Sequence, residues 1–214
     1  MRSYKQICPV AKALDVIGDR WSLLIVRELL ICGPSRYTDL RKALSGIATN
    51  LLAERLRELE DVGVVRSERA PPPVATTLYR LTERGLELEP VIEALGRWGA
   101  PLLMEASGDD EFRTHWLSLA MRVHCDRTVD GPPVTVEVRT GDEPMVIETT
   151  DGRIRTRAGP ADHPDAVITG KPVLVVGVLT GRVDLASARK RGLRVEGDAE
   201  ALRRVLPSAR ATVR

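Results

Sequence analysis

The residues with chemical potential fall into two groups, and only one of them is organised. The three cysteines, Cys8, Cys32 and Cys125, are far apart, and none sits in a C-x-x-C pair. Neither a disulfide framework nor a structural zinc site is expected from such spacing. His115, His124, Cys125 and His163 are too scattered for a metal-ligand set. Asp15 and Asp19 fall four apart and could share a helix face, but no His or Ser accompanies them, so a structural role is expected for both. No nucleophile and base lie at a usable spacing. The chain is therefore not expected to be an enzyme, with no catalytic residue, no metal and no cofactor. The organised group is polar and cationic. Thr49, Asn50, Arg55 and Arg57 occupy one short segment, Arg36, Tyr37, Arg41 and Lys42 precede it, and Arg66, Arg69 and Arg80 follow it. An Asn can hold adenine through two hydrogen bonds, and a Thr methyl can touch thymine. Lys and Arg neutralise phosphates and set position without reading sequence. That chemistry suits double-stranded DNA.

The segment carrying Thr49 and Asn50 must be held in place by its neighbours. Apolar residues at Val10, Ala13, Leu14, Ile17, Trp21, Leu24, Ile25 and Leu29 recur at helical spacing from Cys8 to about Leu30. Gly18-Asp19 interrupts them, which leaves one helix or two. Arg36 to Leu44 reads as a short helix, closed by the turn Ser45-Gly46. Ala48 to Val62 reads as the next helix. Its Leu52, Leu56, Leu59 and Val62 form a buried stripe, and Thr49, Asn50, Ala53, Glu54 and Arg57 face outward. Gly63 ends it. Val64 to Arg69 and Thr76 to Leu81 read as two strands around Ala70-Pro71-Pro72-Pro73, which cannot continue a ladder. A helix, a tight turn, a second helix and a β-ribbon make a winged helix-turn-helix. In that motif the second helix enters the major groove and the first crosses the backbone. Glu54, Glu58 and Glu60 could instead pair with Arg55 and Arg57 as a solvated face. Thr82 to about Met104 is expected to be one long helix, with Pro90 as a kink or a late start.

Composition limits the rest. At 214 residues with 43% hydrophobic and 29% charged residues, the chain suits one large or two ordinary soluble domains. Aromatic residues make up only 3%, which argues against base stacking on aromatic platforms. The net charge of +2 says little about nucleic acid, so local clusters must carry that argument. No apolar run approaches a membrane span and no apolar signal core opens the chain, so a cytoplasmic protein without a membrane partner is expected.

Three motifs carry a family resemblance over roughly residues 5 to 104. They are Cys8-Pro9-Val10 with Ala13-Leu14-Asp15-Val16-Ile17-Gly18-Asp19-Arg20-Trp21-Ser22-Leu23-Leu24-Ile25, then Arg55-Leu56-Arg57-Glu58-Leu59-Glu60 with Gly63, then Tyr79-Arg80-Leu81-Thr82-Glu83-Arg84-Gly85. Together they resemble the HxlR family of bacterial transcription regulators. The resemblance implies a winged-helix homodimer with the first and last helices of this domain at the interface, where Trp21 and Trp98 would pack unless they are buried in the domain's own core. Where the family usually starts its recognition helix with a Ser cap, this chain has Ala48. Some relatives use the cysteine equivalent to Cys8 as a redox or electrophile sensor. That role requires an exposed thiol of lowered pKa, and the competing reading of Cys8 is a small, half-buried packing residue.

Glu105-Ala106-Ser107-Gly108-Asp109-Asp110 is small and polar, and the domain boundary is placed there, giving domains 1–106 and 107–214. Beyond it the pattern mixes helices (His115 to Cys125, Leu185 to Arg191, Ala199 to Leu206) with strands (Val134 to Arg139, Pro144 to Thr149, Arg153 to Arg157, Asp165 to Thr169, Leu193 to Glu196). Pro172 to Leu179 is helix or buried strand. The fold class is α+β. Asp165-Ala166-Val167-Ile168-Thr169-Gly170, Leu179-Thr180-Gly181-Arg182-Val183-Asp184 and Gly192 to Leu202 resemble the sterol-carrier-protein-2-like fold. The resemblance implies a sheet and helices around an apolar tunnel that can hold a hydrophobic small-molecule effector. Leu117, Val136, Val138, Met145, Ile147, Val173, Leu174 and Leu179 are its candidate ligand contacts. A closed domain that only supports dimerisation is the competing reading.

Three functions follow in order. The first is a homodimeric DNA-binding repressor controlled by a hydrophobic effector, with the helix from Leu86 to Met104 carrying the coupling. The second keeps DNA binding and moves the switch to Cys8. The third is a lipid carrier or accessory protein with a vestigial DNA-binding domain.

Overall fold

In the computed structural model, residues 3–71, 76–105, 110–125 and 129–207 are described. The chain divides into two compact units, Met1–Ile92 and Glu93–Arg214, earlier than the break in composition near Ala106.

The first unit opens with two helices, not one. Helix α1 (Pro9–Ile17) ends at Gly18, and α2 (Ser22–Cys32) begins after Trp21. Trp21 takes a left-handed backbone conformation, φ 83°, which a bulky residue seldom adopts and which turns the chain sharply between the helices. Strand β1 (Ser35–Arg36), helix α3 (Tyr37–Ala43), helix α4 (Thr49–Asp61), strands β2 (Val65–Arg69) and β3 (Thr77–Leu81) and the short helix α5 (Glu83–Leu86) follow. The sheet order is β1-β3-β2, all antiparallel. The two-residue β1 is absent from the periodicity reading because two residues leave no alternation to detect.

Ile25, Val26, Leu29, Leu40, Leu44, Leu52, Leu56, Leu59, Val64, Val65 and Leu81 are buried in this unit. The leucines of α4 therefore anchor it by the stripe read from the sequence. Gly63 leaves α4 with φ 72°, a conformation that costs glycine little. Gly85 fills a tighter place, since a Cβ there would lie 2.1 Å from the Val64 carbonyl oxygen. Thr82 caps α5 by accepting from the Gly85 N–H at 3.1 Å, and its hydroxyl donates to the Gly63 carbonyl at 2.6 Å. The Thr82–Gly85 motif thus ties the chain after the wing to the end of α4.

The long helix expected from Thr82 to Met104 is broken into three pieces, and the late start allowed for at Pro90 is found at Glu89. After α5 comes α6 (Glu89–Gly99) and then a 3-10 turn over Ala100–Glu105. Prolines account for the breaks. Pro90 is tolerated in the first turn of α6, and Pro101 follows its end, where it cannot continue the ladder. The division between the units falls inside α6.

The second unit is α+β. Helix α7 (Leu117–His124) follows a 3-10 turn at Thr114–Trp116. Strands β4 (Thr135–Arg139), β5 (Met145–Thr150), β6 (Arg153–Ala158), β7 (Ala166–Thr169) and β8 (Arg194–Gly197) form one sheet in the order β6-β5-β4-β7-β8. Among the described strands only β4 and β7 run parallel. Helices α8 (Pro172–Leu179), α9 (Leu185–Lys190) and α10 (Ala199–Val205) complete the unit. Pro172 to Leu179 is thus helix, with Pro172 in the first turn, where its missing N–H is harmless. Val136, Val138, Met145, Ile147, Ala166 and Ile168 alternate onto one sheet face and join Leu117, Met121, Leu174, Val175, Val178, Leu179, Leu202 and Val205 in one core.

Candidate nucleic-acid interface

The helix-turn-helix is α3, the turn at Ser45–Gly46 and α4. Arg36 is the N-cap of α3, and its N–H donates to the Asp39 carboxylate at 3.3 Å. Gly46 has φ 86°, which lets the turn close tightly. Tyr37 links the two helices, because its hydroxyl donates to the Thr49 carbonyl at 2.6 Å. Tyr37 is half-buried, so its ring serves the joint between α3 and α4.

Helix α4 begins after Ala48, whose backbone is extended (φ −66°, ψ 143°) and whose side chain makes no cap. The Ala48 carbonyl accepts from Leu52 N at 3.0 Å, so the helical ladder starts there. No N-cap side chain accepts from the amides of the first turn, which carries Thr49 and Asn50. Thr49 and Asn50 are both exposed. An open helix N-terminus with polar side chains beside it attracts a phosphate oxygen or a base edge.

Most of the expected contact residues are exposed around this helix. Arg36, Arg41 and Lys42 on and before α3, Arg57 on α4, and Arg66 and Arg69 on β2 are exposed. Arg80 is half-buried on β3. Arg66 and Arg80 stand directly opposite each other in the hairpin, and Glu68 bridges them at 3.8 and 3.3 Å. One carboxylate between two guanidinium groups leaves an excess of positive charge on that face of the wing. Tyr79, on the other face of the same strand, has its hydroxyl pKa raised by burial, with Glu60 and Tyr37 adding to the shift.

Arg55 departs from the expectation of a base or phosphate contact. It is 9% exposed and ion-paired with Asp19, with Glu58 at 2.7 Å and with Glu54 at 3.1 Å. The neighbouring glutamates were visible in the sequence, but Asp19 lies 36 residues away and gave no signal there. Arg57 points along its own helix, with Nε donating to the Ala53 carbonyl at 3.3 Å.

Cys8 is the N-cap of α1 and is half-buried, and its carbonyl accepts from Lys12 N at 2.9 Å. Cys32 is exposed and Cys125 is buried. Asp15 has its carboxyl held below the usual range by the Tyr4 N–H, helped by Ser3 and Lys12. It thus pins the segment before α1, the structural role expected of it.

Helix α1 also presents apolar side chains to solvent. Val10 and Leu14 are exposed, as is Ile7 just before it. On α6, Val91, Leu95 and Trp98 are exposed, Trp98 at 75%. Trp21 is half-buried. In the second unit, seven of the eight candidate ligand contacts are fully buried in the core, while Val173 is half-buried at its edge.

Residues 16–107 match the HxlR-like helix-turn-helix family. The HTH-type transcriptional regulator sll1512 of Synechocystis is 37% identical over 101 residues, covering 47% of this chain and 74% of that protein. The reduced form of the transcriptional regulator YodB from Bacillus subtilis is 30% identical, covering 48% of this chain and all of that one, with a TM-score of 0.41. The redox regulator HypR in its oxidized form is 36% identical, covering 44% of this chain and 96% of that one, with a TM-score of 0.40. Among the described residues no helix is long and apolar enough to cross a membrane. Through its first hundred residues this chain belongs to the HxlR family of helix-turn-helix transcription regulators.

Proposed function

We propose that the protein is a homodimeric, one-component repressor in which α4 reads a half-site of DNA and the second unit binds a hydrophobic effector. The open N-terminus of α4, with Thr49 and Asn50 exposed beside it, carries the DNA part. Arg36, Arg41, Lys42, Arg57, Arg66, Arg69 and Arg80 set the register on phosphates, and Tyr37 holds the joint beneath them. Exposed apolar side chains on α1 and on α6 support self-association through those helices.

The effector part rests on the apolar core of an α+β unit that resembles the sterol-carrier-protein-2-like fold. Leu117, Val136, Val138, Met145, Ile147, Leu174 and Leu179 are closed off from solvent, so an effector must open that core to reach them. Binding that favours the opened form over the closed one is what gives an effector control, because a ligand shifts an equilibrium only by its differential affinity. Helix α6 runs across the division between the units and is the covalent route for the coupling.

Footprinting on the intergenic DNA beside the protein's own gene, with a salt titration, tests the DNA part. Two protected half-sites about one helical turn apart, weakening steeply with salt, are expected. Absence of protection at low salt from protein freed of bound lipid by delipidation overturns the reading. A second reading places the switch at Cys8, which is the N-cap of α1 and is not fully buried. Cys8→Ser should then abolish an oxidant response and leave basal DNA binding intact. Retained lipid transfer with no operator binding would instead favour the lipid-carrier reading.

A further inference from the structure

The corner between α1 and α2 reaches the helix-turn-helix at two points. Trp21 Cη2 lies 3.9 Å from the Cβ position of Gly46, in the turn itself. Asp19 reaches past it to Arg55, near the middle of α4. The corner is well defined: Trp21 is held left-handed, Ser22 N donates to the Asp19 carbonyl at 3.2 Å, and the Arg20 guanidinium lies 5.5 Å from the centroid of the Trp21 ring.

Arg55 is poorly placed for a phosphate. One guanidinium faces three carboxylates, those of Asp19, Glu54 and Glu58, so the cluster is negative overall. The Arg55 side chain is 10% exposed, while Asp19 and Glu54 are more than half exposed. A phosphate approaching this side would meet the carboxylates first. The Leu52, Leu56 and Leu59 stripe fixes which face of α4 is dry, but the hydrophobic effect itself is non-directional. The Arg55 guanidinium fork, with Nη1 shared by Asp19 and Glu58 and Nη2 on Glu54, is directional. Glu54 and Glu58 belong to α4 itself, so of these three carboxylates Asp19 is the one that ties the helix to another element.

We infer that the Asp19–Arg55 pair is a positioning strut. It sets the axial position and roll of α4 against the α1–α2 corner, and through it Arg55 supports DNA binding without touching DNA. The inference rests on the reading of α4 as the DNA-reading helix. It predicts an effect of opposite sign to simple charge counting. Asp19→Asn removes a negative charge from the DNA-binding unit, which by electrostatics alone strengthens attraction to a polyanion. A broken strut weakens binding instead.

The test uses the full chain and its own intergenic DNA, with Asp19→Asn, Arg55→Gln and Arg55→Lys. Affinity is measured across a salt series, and amide hydrogen exchange over Asn50 to Leu56 is measured on the free protein. We expect each variant to bind about tenfold more weakly, the fold-change typical of a broken ion pair. The salt slope should stay unchanged, and combining Asp19→Asn with Arg55→Gln should cost no more than either alone. Exchange over the first turns of α4 should be faster in Asp19→Asn than in the wild type. Arg55→Lys keeps the charge but loses the fork, so it should resemble Arg55→Gln. Three results would overturn the strut: tighter or unchanged binding by Asp19→Asn, a salt slope reduced by about 0.9 per protomer in Arg55→Gln, or unchanged α4 exchange in Asp19→Asn. The exchange arm reads the free protein, so it decides the strut even where the DNA reading fails.

Discussion

Ala48→Ser should stabilise the DNA-binding unit by about 1 kcal/mol. The reason is local. Ala48 already has the extended backbone of an N-cap residue, and its carbonyl already accepts the first helical bond from Leu52 N. What is missing is a side-chain acceptor for the orphan amides of the next turn. A serine at the same φ and ψ places Oγ within reach of the Asn50 or Leu51 N–H without moving the helix. Ala48 is exposed, so the added hydroxyl displaces no packing and is not itself trapped unsatisfied. The first unit is small, and 1 kcal/mol in a domain of 60–100 residues raises the melting temperature by about 4–8 °C. Differential scanning calorimetry on the full chain, with urea titration followed by near-ultraviolet circular dichroism, measures it. The rise should appear in the transition that carries the tryptophan signal of Trp21. A midpoint unchanged within error, or lowered, would refute the reasoning. It would mean either that α4 starts at another residue or that its first turn is already satisfied.

Other consequences are as direct. Arg41→Gln and Arg69→Gln together should lower the salt slope of DNA binding by about 0.9 for each phosphate no longer neutralised, with little change in sequence preference. An unchanged slope would remove these two from the interface. Val10→Asp on α1 and Trp98→Glu on α6 should each shift the protein from dimer to monomer in sedimentation equilibrium, and a dimer of unchanged affinity in both would place self-association elsewhere. Leu56→Ala, at a position only 1% exposed, should cost about 2–5 kcal/mol and loosen α4, read as a lowered urea midpoint for the first unit. His124 has its pKa lowered by burial, with Arg182 and Arg97 adding to it, from an ordinary 6.5. The unfolded chain therefore binds the proton more readily, so the second unit should lose stability as pH falls below about 6.5, down to the folded pKa. His124→Gln should flatten the dependence in that window, and an unaltered pH profile would exclude His124 as its source.

The sequence by itself determined the helix-turn-helix and most elements of the second unit. Each is a local matter: the leucine stripe of α4 is legible because 3.6-residue periodicity maps directly onto burial, and β4 because strict alternation maps onto two sheet faces. Gly63 announced the end of α4 for an equally local reason, its freedom to take the left-handed backbone that the structure shows. Exposed polar residues such as Thr49 and Asn50 were legible too, since the helical face opposite a buried stripe must face water. The tertiary structure alone decided the fate of Arg55. A periodic pattern places that residue at the edge of a face but cannot say which group from another element will meet it. Asp19 is 36 residues away in sequence, and only the packing of the α1–α2 corner beside α4 brings the two together. The long helix after the wing failed for a related reason, because apolar periodicity continues through Pro90 and Pro101 although the hydrogen-bond ladder does not. In the second unit the apolar pattern marked residues that leave water, but a core residue and a ligand contact share one signature. Burial alone, read from the packed sheet and helices, shows that seven of the eight candidate contacts are closed from solvent.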